Sequence, residues 1–444
     1  MSVMDWKNLL SPHRLGSEVP GKITPERSPF QRDFDRIVFS GSFRRLQDKT
    51  QVFPLDRSDY VRTRLTHSLE TSSIGRSLGT AAGVFICREC GFDGVHPSDI
   101  GAAVAAAALA HDIGNPPLGH AGEEAIRYWF TDTPLGKSLK DLLAPNEAAD
   151  IEKFDGNAQG FRVMSRIEMP DNRGGMQLTC ATLGTFAKYP GASDSPWKKC
   201  GFFQQDAELF QEVASCCGMI ERGKNHWARH PLSFLLEAAD DIAYLTVDFE
   251  DAQKIGIIEY HELENIFLEI IDSEKTRQYV TTLKNTARKT EFLRAQVIGV
   301  LVREAAKIFT GNHDALMRGE FNTPLTEIIP QSDLLKKIRQ RSISEIYNHP
   351  TVAEVVGAGF ELVHGMLDIF VPCINELAME SENKGKASYR SRRLAALLPT
   401  RELLTDNGGG SPAYRRLLRV LDYVSGMTDH YAVSLYQKLK GISL

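Results

Sequence analysis

Apolar residues recur every three to four positions through most of this chain, the period of helices that pack one face against a core. The clearest case is Ala102 to Glu124, AAVAAAALAHDIGNPPLGHAGEE, where an alanine run of high helix propensity is broken at Gly114-Asn115-Pro116-Pro117. Phe30 to Gln47 predicts another helix, with Phe34, Ile37, Val38 and Phe43 on its apolar side. From Arg62 onward His67, Thr71, Ile74 and Leu78 share a helical face, while Gly75, Gly79 and Gly83 form a stripe small enough to let another helix approach closely. Leu232 to Ala252 predicts a long helix lined by Leu235, Leu236, Ala239, Ile242, Ala243 and Val247. Beyond Tyr260 the pattern stays helical, with an interruption at Gly311 to Pro330 and a loop at Thr405 to Pro412. Strand signals are confined to a short extended piece within Asp48 to Tyr60, so the expected fold is mainly α.

Between these segments lie stretches of different character. Residues 1–30 are polar and carry Pro12, Pro20, Pro25 and Pro29, as an arm laid over a surface would. Pro134 to Phe154 reads as an acidic connector, and Pro170 to Gly175 and Tyr189 to Pro196 as loops. No internal repeat appears. At 444 residues and 42% hydrophobic content the chain is large enough to bury a sizeable core. Its formal charge of −5, from 52 basic and 57 acidic residues, attracts neither nucleic acid nor an anionic membrane, so any polyanion must meet a local basic pocket. Lys384, Lys386, Arg390, Arg392 and Arg393, within Ala378 to Arg393, make the most basic patch and read first as a solvated face. No run approaches a membrane span and the polar start is not read as a signal peptide, so no membrane association and a cytoplasmic location are expected. Seven scattered cysteines read as reduced thiols, because Cys87 with Cys90 and adjacent Cys216 and Cys217 lack the spacing of a zinc site.

Candidate chemistry gathers at the helix break. His111 and Asp112 offer a neutral nitrogen and a hard oxygen, a pair suited to Mg, Mn, Fe or Ni. His120 and Glu123, three positions apart, share one face if helical and supply an acid/base pair. Asp240, Tyr244 and Asp248 fall at i, i+4 and i+8 on an otherwise apolar helix, and a part-buried carboxylate at Asp240 needs a cation or a strong donor. His67 is expected to point inward, as a core histidine bonded to a carbonyl or as a ligand. No G-x-x-x-x-G-K-[ST] loop is present, which argues against a P-loop NTPase.

Taken together these residues resemble a known family. His67, His111-Asp112 and Asp240 reproduce the H…HD…D metal signature of the HD phosphohydrolase superfamily. GSFRRLQDKTQVFPL, RTRLTHSLE, AHDIGNPPLGHAGE, DGNAQGFR, FAKYP, EAADDIAYLTVDFEDA and DYVSGMTDHYA are similar to its deoxyguanosine triphosphate triphosphohydrolase (dGTPase) branch, from about Arg27 to Ala432. The resemblance implies an HD-domain helical core with additional C-terminal helices: an N-terminal arm over 1–30, the phosphohydrolase core over 31–255 and a C-terminal helical region over 256–444. It implies one divalent metal held by His67, His111, Asp112 and Asp240, and a catalytic pair in which Glu123 orients or tunes His120. It also implies substrate contacts from Gln51, Arg64, Asn157, Lys188, Tyr189, Tyr244 and Asp248. Of these, Arg64 and Lys188 would meet phosphates, Tyr244, Asp248 and Tyr189 the deoxyribose, and Gln51 the base edge.

The implied reaction hydrolyses a deoxynucleoside triphosphate (dNTP), with dGTP expected, at the α-phosphorus to deoxynucleoside and inorganic triphosphate. The implied partners are further copies of the chain in a homo-oligomer, a hexamer being one form, and a nucleotide or single-stranded DNA effector for which the basic patch is a candidate. Two alternatives stand beside this reading. One is another HD-type nucleotide phosphohydrolase, a nucleoside monophosphate phosphatase or a cyclic-nucleotide phosphodiesterase; a two-metal phosphodiesterase would need further histidine ligands, and the remaining histidines lack such spacing. A dNTP or nucleic-acid sensing protein would have no need of the His120 and Glu123 pair.

Overall fold

The computed structural model describes residues 3–19, 27–52, 62–91, 94–398 and 408–442. These are mainly helical, and the two strands among them, Glu221–Gly223 and His226–Trp227, form one small antiparallel hairpin. The helices that build and frame the site are α1 (Pro29–Val38), α2 (Arg64–Cys90), α3 (Pro97–Ala110), α4 (His120–Asp132), α5 (Gly156–Arg162), α6 (Cys180–Phe186), α7 (Pro231–Lys254), α8 (Thr286–Gly311), α9 (Pro350–Ser381), α10 (Pro412–Ser425) and α11 (Asp429–Leu439).

The alanine run becomes α3, buried along almost its whole length, and α2 packs along it through the glycine stripe. A Cβ on Gly79 would lie 2.9 Å from the Gly101 Cα, and one on Gly83 would lie 2.9 Å from the Pro97 Cα. Only hydrogen at these positions lets the two backbones come this close. His67 sits near the start of α2 and His111 closes α3, so the same contact sets the distance between two candidate ligands. α7 lies against both α2 and α3, and α8 covers α7 and α2. One apolar cluster joins α2, α3, α7 and α8, and a second joins α4 to α9, α10 and α11.

Buried charge ties the C-terminal helices to the rest. Arg162, fully buried on α5, donates from Nε and Nη2 to Asp422 at 2.8 and 3.0 Å and from Nη1 to Asp206 at 3.1 Å. A guanidinium flanked by two carboxylates is compensated in a way that a lone buried charge is not.

The expected Phe30 to Gln47 helix is broken. α1 stops at Val38, and Ser40 starts a new turn by accepting the Phe43 N–H at 3.1 Å, so Gly41–Arg45 and Leu46–Asp48 follow as separate short turns. The acidic connector contains two helices, Pro134–Lys140 and Pro145–Glu152, each with proline at its first position. The N-terminal stretch is anchored rather than laid on the surface: Trp6, Leu9, Leu10 and Leu15 are buried. Within α9, Val352–Ser381 is long and apolar enough to cross a membrane by length and composition, contrary to the expectation that no run comes near a span, and half of its most apolar window is buried within the protein.

Gly311 to Pro330 holds a short helix, His313–Met317, and a turn, Leu325–Glu327. Most of the Thr405 to Pro412 loop is described only from Gly408, and the Asp48 to Tyr60 piece only as far as Val52; the remainder lies outside the described residues. In the basic patch Lys384 and Arg392 pair with Glu382 and Glu380, and Arg393 lies over the Tyr389 ring. Cys87, Cys180, Cys200, Cys216, Cys217 and Cys373 are free thiols.

The glycine stripe is testable. A methyl group at Gly79 must push against backbone of α3, so Gly79→Ala is expected to lower unfolding stability by about 1–3 kcal/mol, read from urea midpoints. A midpoint unchanged from wild type would show that the two helices are not held at this separation.

Candidate metal centre and active site

Three helices deliver the candidate ligands: α2 carries His67, the end of α3 presents His111 and Asp112, and α7 carries Asp240. His67 Nε2 lies 3.2 Å and His111 Nε2 3.4 Å from one oxygen, Asp240 Oδ1. Among the described residues this is the one cluster of histidine and carboxylate groups whose ligand atoms all lie within 4.8 Å of one another. His111 Nδ1 lies 2.6 Å from the Ala108 carbonyl, an acceptor, so Nδ1 holds the proton and Nε2 turns its lone pair to the cluster.

Asp112 stands at the side of this group. Its Oδ2 is 3.6 Å from His111 Nε2, buried and without a hydrogen-bond partner, while Oδ1 accepts from Arg64 Nη1 at 2.8 Å and from the Asn115 side chain. A buried carboxylate oxygen with no donor is costly unless a cation meets it. Burial works against ionisation of both aspartates, yet Arg64 and His111 bring Asp112 down to about 2, and Lys188 and His111 hold Asp240 well below the usual carboxylate range. Two imidazole nitrogens and two ionised carboxylates form a donor set that fits a hard or borderline divalent ion.

All thirteen residues given metal, acid/base or substrate roles in the sequence line one cavity of about 520 Å³, whereas the basic patch at 384–393 does not. At its rim His120 is exposed at the first turn of α4, with Nδ1 2.9 Å from Glu123 Oε2. Glu123 is buried, and its Oε1 accepts the Gly156 N–H at 2.7 Å. Burial alone would raise the Glu123 pKa, but His120, the Gly156 N–H and Arg127 overcome it and hold it below the ordinary glutamate value. Arg64 and Lys188 do line the cavity but are not free charges, since Arg64 pairs with Asp112 and Lys188 Nζ lies 2.5 Å from Asp240 Oδ2. Asn157 is held by Asp155, which accepts its side-chain amide at 2.7 Å.

Further along α7, Tyr244 is half-buried and Asp248 buried on the same stripe as Asp240. Tyr347 completes this wall: its ring lies parallel to Tyr244 at 6.0 Å between centroids and 9° between planes, and its hydroxyl donates to Asp248 Oδ2 at 3.2 Å. Tyr189 lies across from Lys199, whose ammonium is 5.6 Å from the ring centroid. Tyr347, Lys199 and Asn115 line the cavity without having been found in the sequence. Tyr347 ends an irregular turn, Ser342–Tyr347, and no local spacing links it to a stripe about a hundred residues earlier.

Burial first, then the charge of Asp251, pushes the Asp248 carboxyl well above its ordinary value of 3.8. The folded form therefore binds the proton more tightly than the unfolded chain, and this contribution to stability is full below the ordinary value and lost as pH rises through the raised one. Asp248→Asn removes the titration. The stability of the variant relative to wild type, from urea unfolding at pH 5 and pH 8, is expected to improve at the higher pH; a gap that stays constant or narrows the other way contradicts the assignment.

Residues 330–438 match the family model of a phosphohydrolase-associated domain. A deoxyguanosinetriphosphate triphosphohydrolase-like protein of Synechocystis sp. is 41% identical over 455 residues, covering 99% of this chain and 100% of the relative. One from Listeria monocytogenes is 38% identical over 473 residues, with the same coverage. A deoxyguanosinetriphosphate triphosphohydrolase of Klebsiella pneumoniae is 30% identical over 517 residues, covering 100% of both chains. Similarity of this extent, running through the ligand helices and the C-terminal helices alike, means that the chain belongs to the deoxyguanosinetriphosphate triphosphohydrolase family of hydrolases.

Proposed function

We propose that this protein is a divalent-metal-dependent dNTP triphosphohydrolase, converting a dNTP, dGTP foremost, and water to the deoxynucleoside and inorganic triphosphate. The observation that carries the reading is the buried, unpartnered Asp112 oxygen beside His67, His111 and Asp240, in one cavity with a histidine oriented by a buried glutamate. The names of the full-length relatives point to the same chemistry.

His67, His111, Asp112 and Asp240 would hold the ion, which when bound supplies positive charge against the phosphate under attack. The chain's own groups do the rest. Both Glu123 oxygens are engaged, one by the Gly156 N–H and one by His120, so Glu123 orients and His120 Nε2 is the ring nitrogen left for proton transfer. Hydrolysis joins the water oxygen to the α-phosphorus and breaks its bond to the 5′ oxygen; water gives up a proton and the 5′ oxygen gains one, and His120 handles one of these transfers. With an ion held by Asp112 and Asp240, their present partners Arg64 and Lys188 would, with Lys199, supply the cationic wall a triphosphate needs. Stacked Tyr244 and Tyr347 form a floor close against the sugar, where a 2′-hydroxyl would clash, and Asp248 is the partner for the 3′-hydroxyl. Gln51 Oε1 is buried with no partner, an acceptor that suits a base edge presenting N–H donors, as guanine does.

Incubation with each of the four dNTPs and with GTP, in Mg or Mn, followed by separation of products tests this. Triphosphate and deoxynucleoside are expected from dGTP, with GTP refused. His120→Ala is expected to lower kcat by about 100- to 10,000-fold, and Asp240→Ala to remove activity. Orthophosphate or pyrophosphate as the first product, or activity surviving in Asp240→Ala, would overturn the proposal.

A further inference from the structure

The sequence DYVSGMTDHYA, residues 422–432, spans the end of α10 and the start of α11, and none of it lines the cavity. It nevertheless reaches the backbone of two loops that line the site. Asp429 is 1% exposed; its Oδ1 accepts the Leu118 N–H at 2.9 Å and its Oδ2 the Thr50 N–H at 2.9 Å. Leu118 lies two residues before His120, and Thr50 directly precedes Gln51. Lys49, also buried, ties the same three segments together by donating from Nζ to the Asn115 carbonyl at 2.5 Å and to the Ser425 carbonyl at 2.7 Å.

Two features separate this arrangement from ordinary docking of a helix. Leu118 has φ 62°, a left-handed conformation that a branched residue holds only where its surroundings impose it, and the peptide so held leads directly into α4. The start of α11 also has other support: Thr428 Oγ1 accepts the Tyr431 N–H, and Ala432 and Leu435 are buried in the apolar cluster with α9 and α10. The Asp429 carboxylate is therefore spent on the two loops rather than on its own helix.

We propose that Asp429 is a positioning residue for the reaction: by bridging the Leu118 and Thr50 peptides it fixes where His120 and Gln51 stand relative to each other in the cavity wall. This rests on the assignment of His120 as the proton-transfer group. A misplacement on the order of 1 Å in such a group costs about 100-fold in rate, which sets the scale of the effect. Through this carboxylate the C-terminal helices complete a catalytic layer built on the earlier part of the chain.

Asp429→Asn, which keeps the shape but leaves a single acceptor oxygen, is the test, with Asp429→Ser as the second variant should the first not fold. Amide hydrogen exchange in the peptides holding residues 49–51 and 114–119 is expected to accelerate, kcat for dNTP hydrolysis to fall about 10- to 100-fold and KM to stay within about threefold. Combined with His120→Ala, Asp429→Asn is expected to cost nothing more in kcat, because the effect of Asp429 on kcat, as distinct from any on base binding by Gln51, runs through His120. Asp422→Asn, which weakens the tie of α10 to Arg162 on α5 without touching either loop, is expected to lower the melting temperature while leaving kcat within about threefold. Unchanged exchange in both loops, faster exchange with unchanged kcat, or equal loss of kcat in Asp422→Asn would overturn the positioning role. Absence of triphosphate release by the wild-type protein would instead overturn the functional reading, and the exchange comparison would still decide whether Asp429 holds the loops.

Discussion

One carboxylate oxygen, Asp240 Oδ1, within 3.4 Å of two imidazole nitrogens from two other helices, is the contact on which this structure turns. Charge of this kind is expensive to bury and is tolerated only where partners are built around it. Lys188 takes the second Asp240 oxygen, Arg64 takes one oxygen of Asp112, and the other Asp112 oxygen is left bare. The fold brings these groups together through close backbone packing. α2 and α3 meet at Gly79 and Gly101, α3 ends at His111, and Gly114 follows where a Cβ would sit 2.1 Å from the Gly156 carbonyl. These close approaches stand next to the segments that carry His67, His111 and Asp112.

The long C-terminal part does more than cover the core. α9 supplies Val352 and Val356 to the cavity wall, the turn before it supplies Tyr347, and the α10 to α11 junction holds two loops, at Thr50 and Leu118, that line the cavity. The phosphohydrolase-associated region at 330–438 is in this sense a working part of the pocket. Its ties are charged and directional, Arg162 to Asp422 and Asp429 to two backbone amides, whereas the apolar clusters supply the bulk of the adhesion.

Much of this was legible in the sequence because it rests on local period. The alanine run, the glycine stripe and the Asp240, Tyr244, Asp248 spacing are all properties of single helices, and each appears where the spacing put it. The motif text did the rest, gathering His67, His111, Asp112 and Asp240 from three segments that periodicity alone could not join. What escaped depends on contacts distant in sequence or on side chains turning back on the main chain. Ser40 captures an amide and ends a helix that the apolar pattern would have continued. Trp6 is an isolated aromatic in a polar stretch, and only its burial marks it as an anchor. Tyr347 joins Tyr244 across about a hundred residues, and the pairing of Arg64 with Asp112 and of Lys188 with Asp240 joins segments that no local spacing links.

The central claim is that these four side chains make one site for one divalent ion, and Mn²⁺ binding followed by electron paramagnetic resonance tests it directly. The wild-type protein should take up one ion per chain with couplings from two imidazole nitrogens, and a His67→Ala, Asp240→Ala double variant that keeps its fold should lose that ion. Undiminished Mn²⁺ binding in the double variant, or a bound ion without nitrogen ligands, would contradict the account.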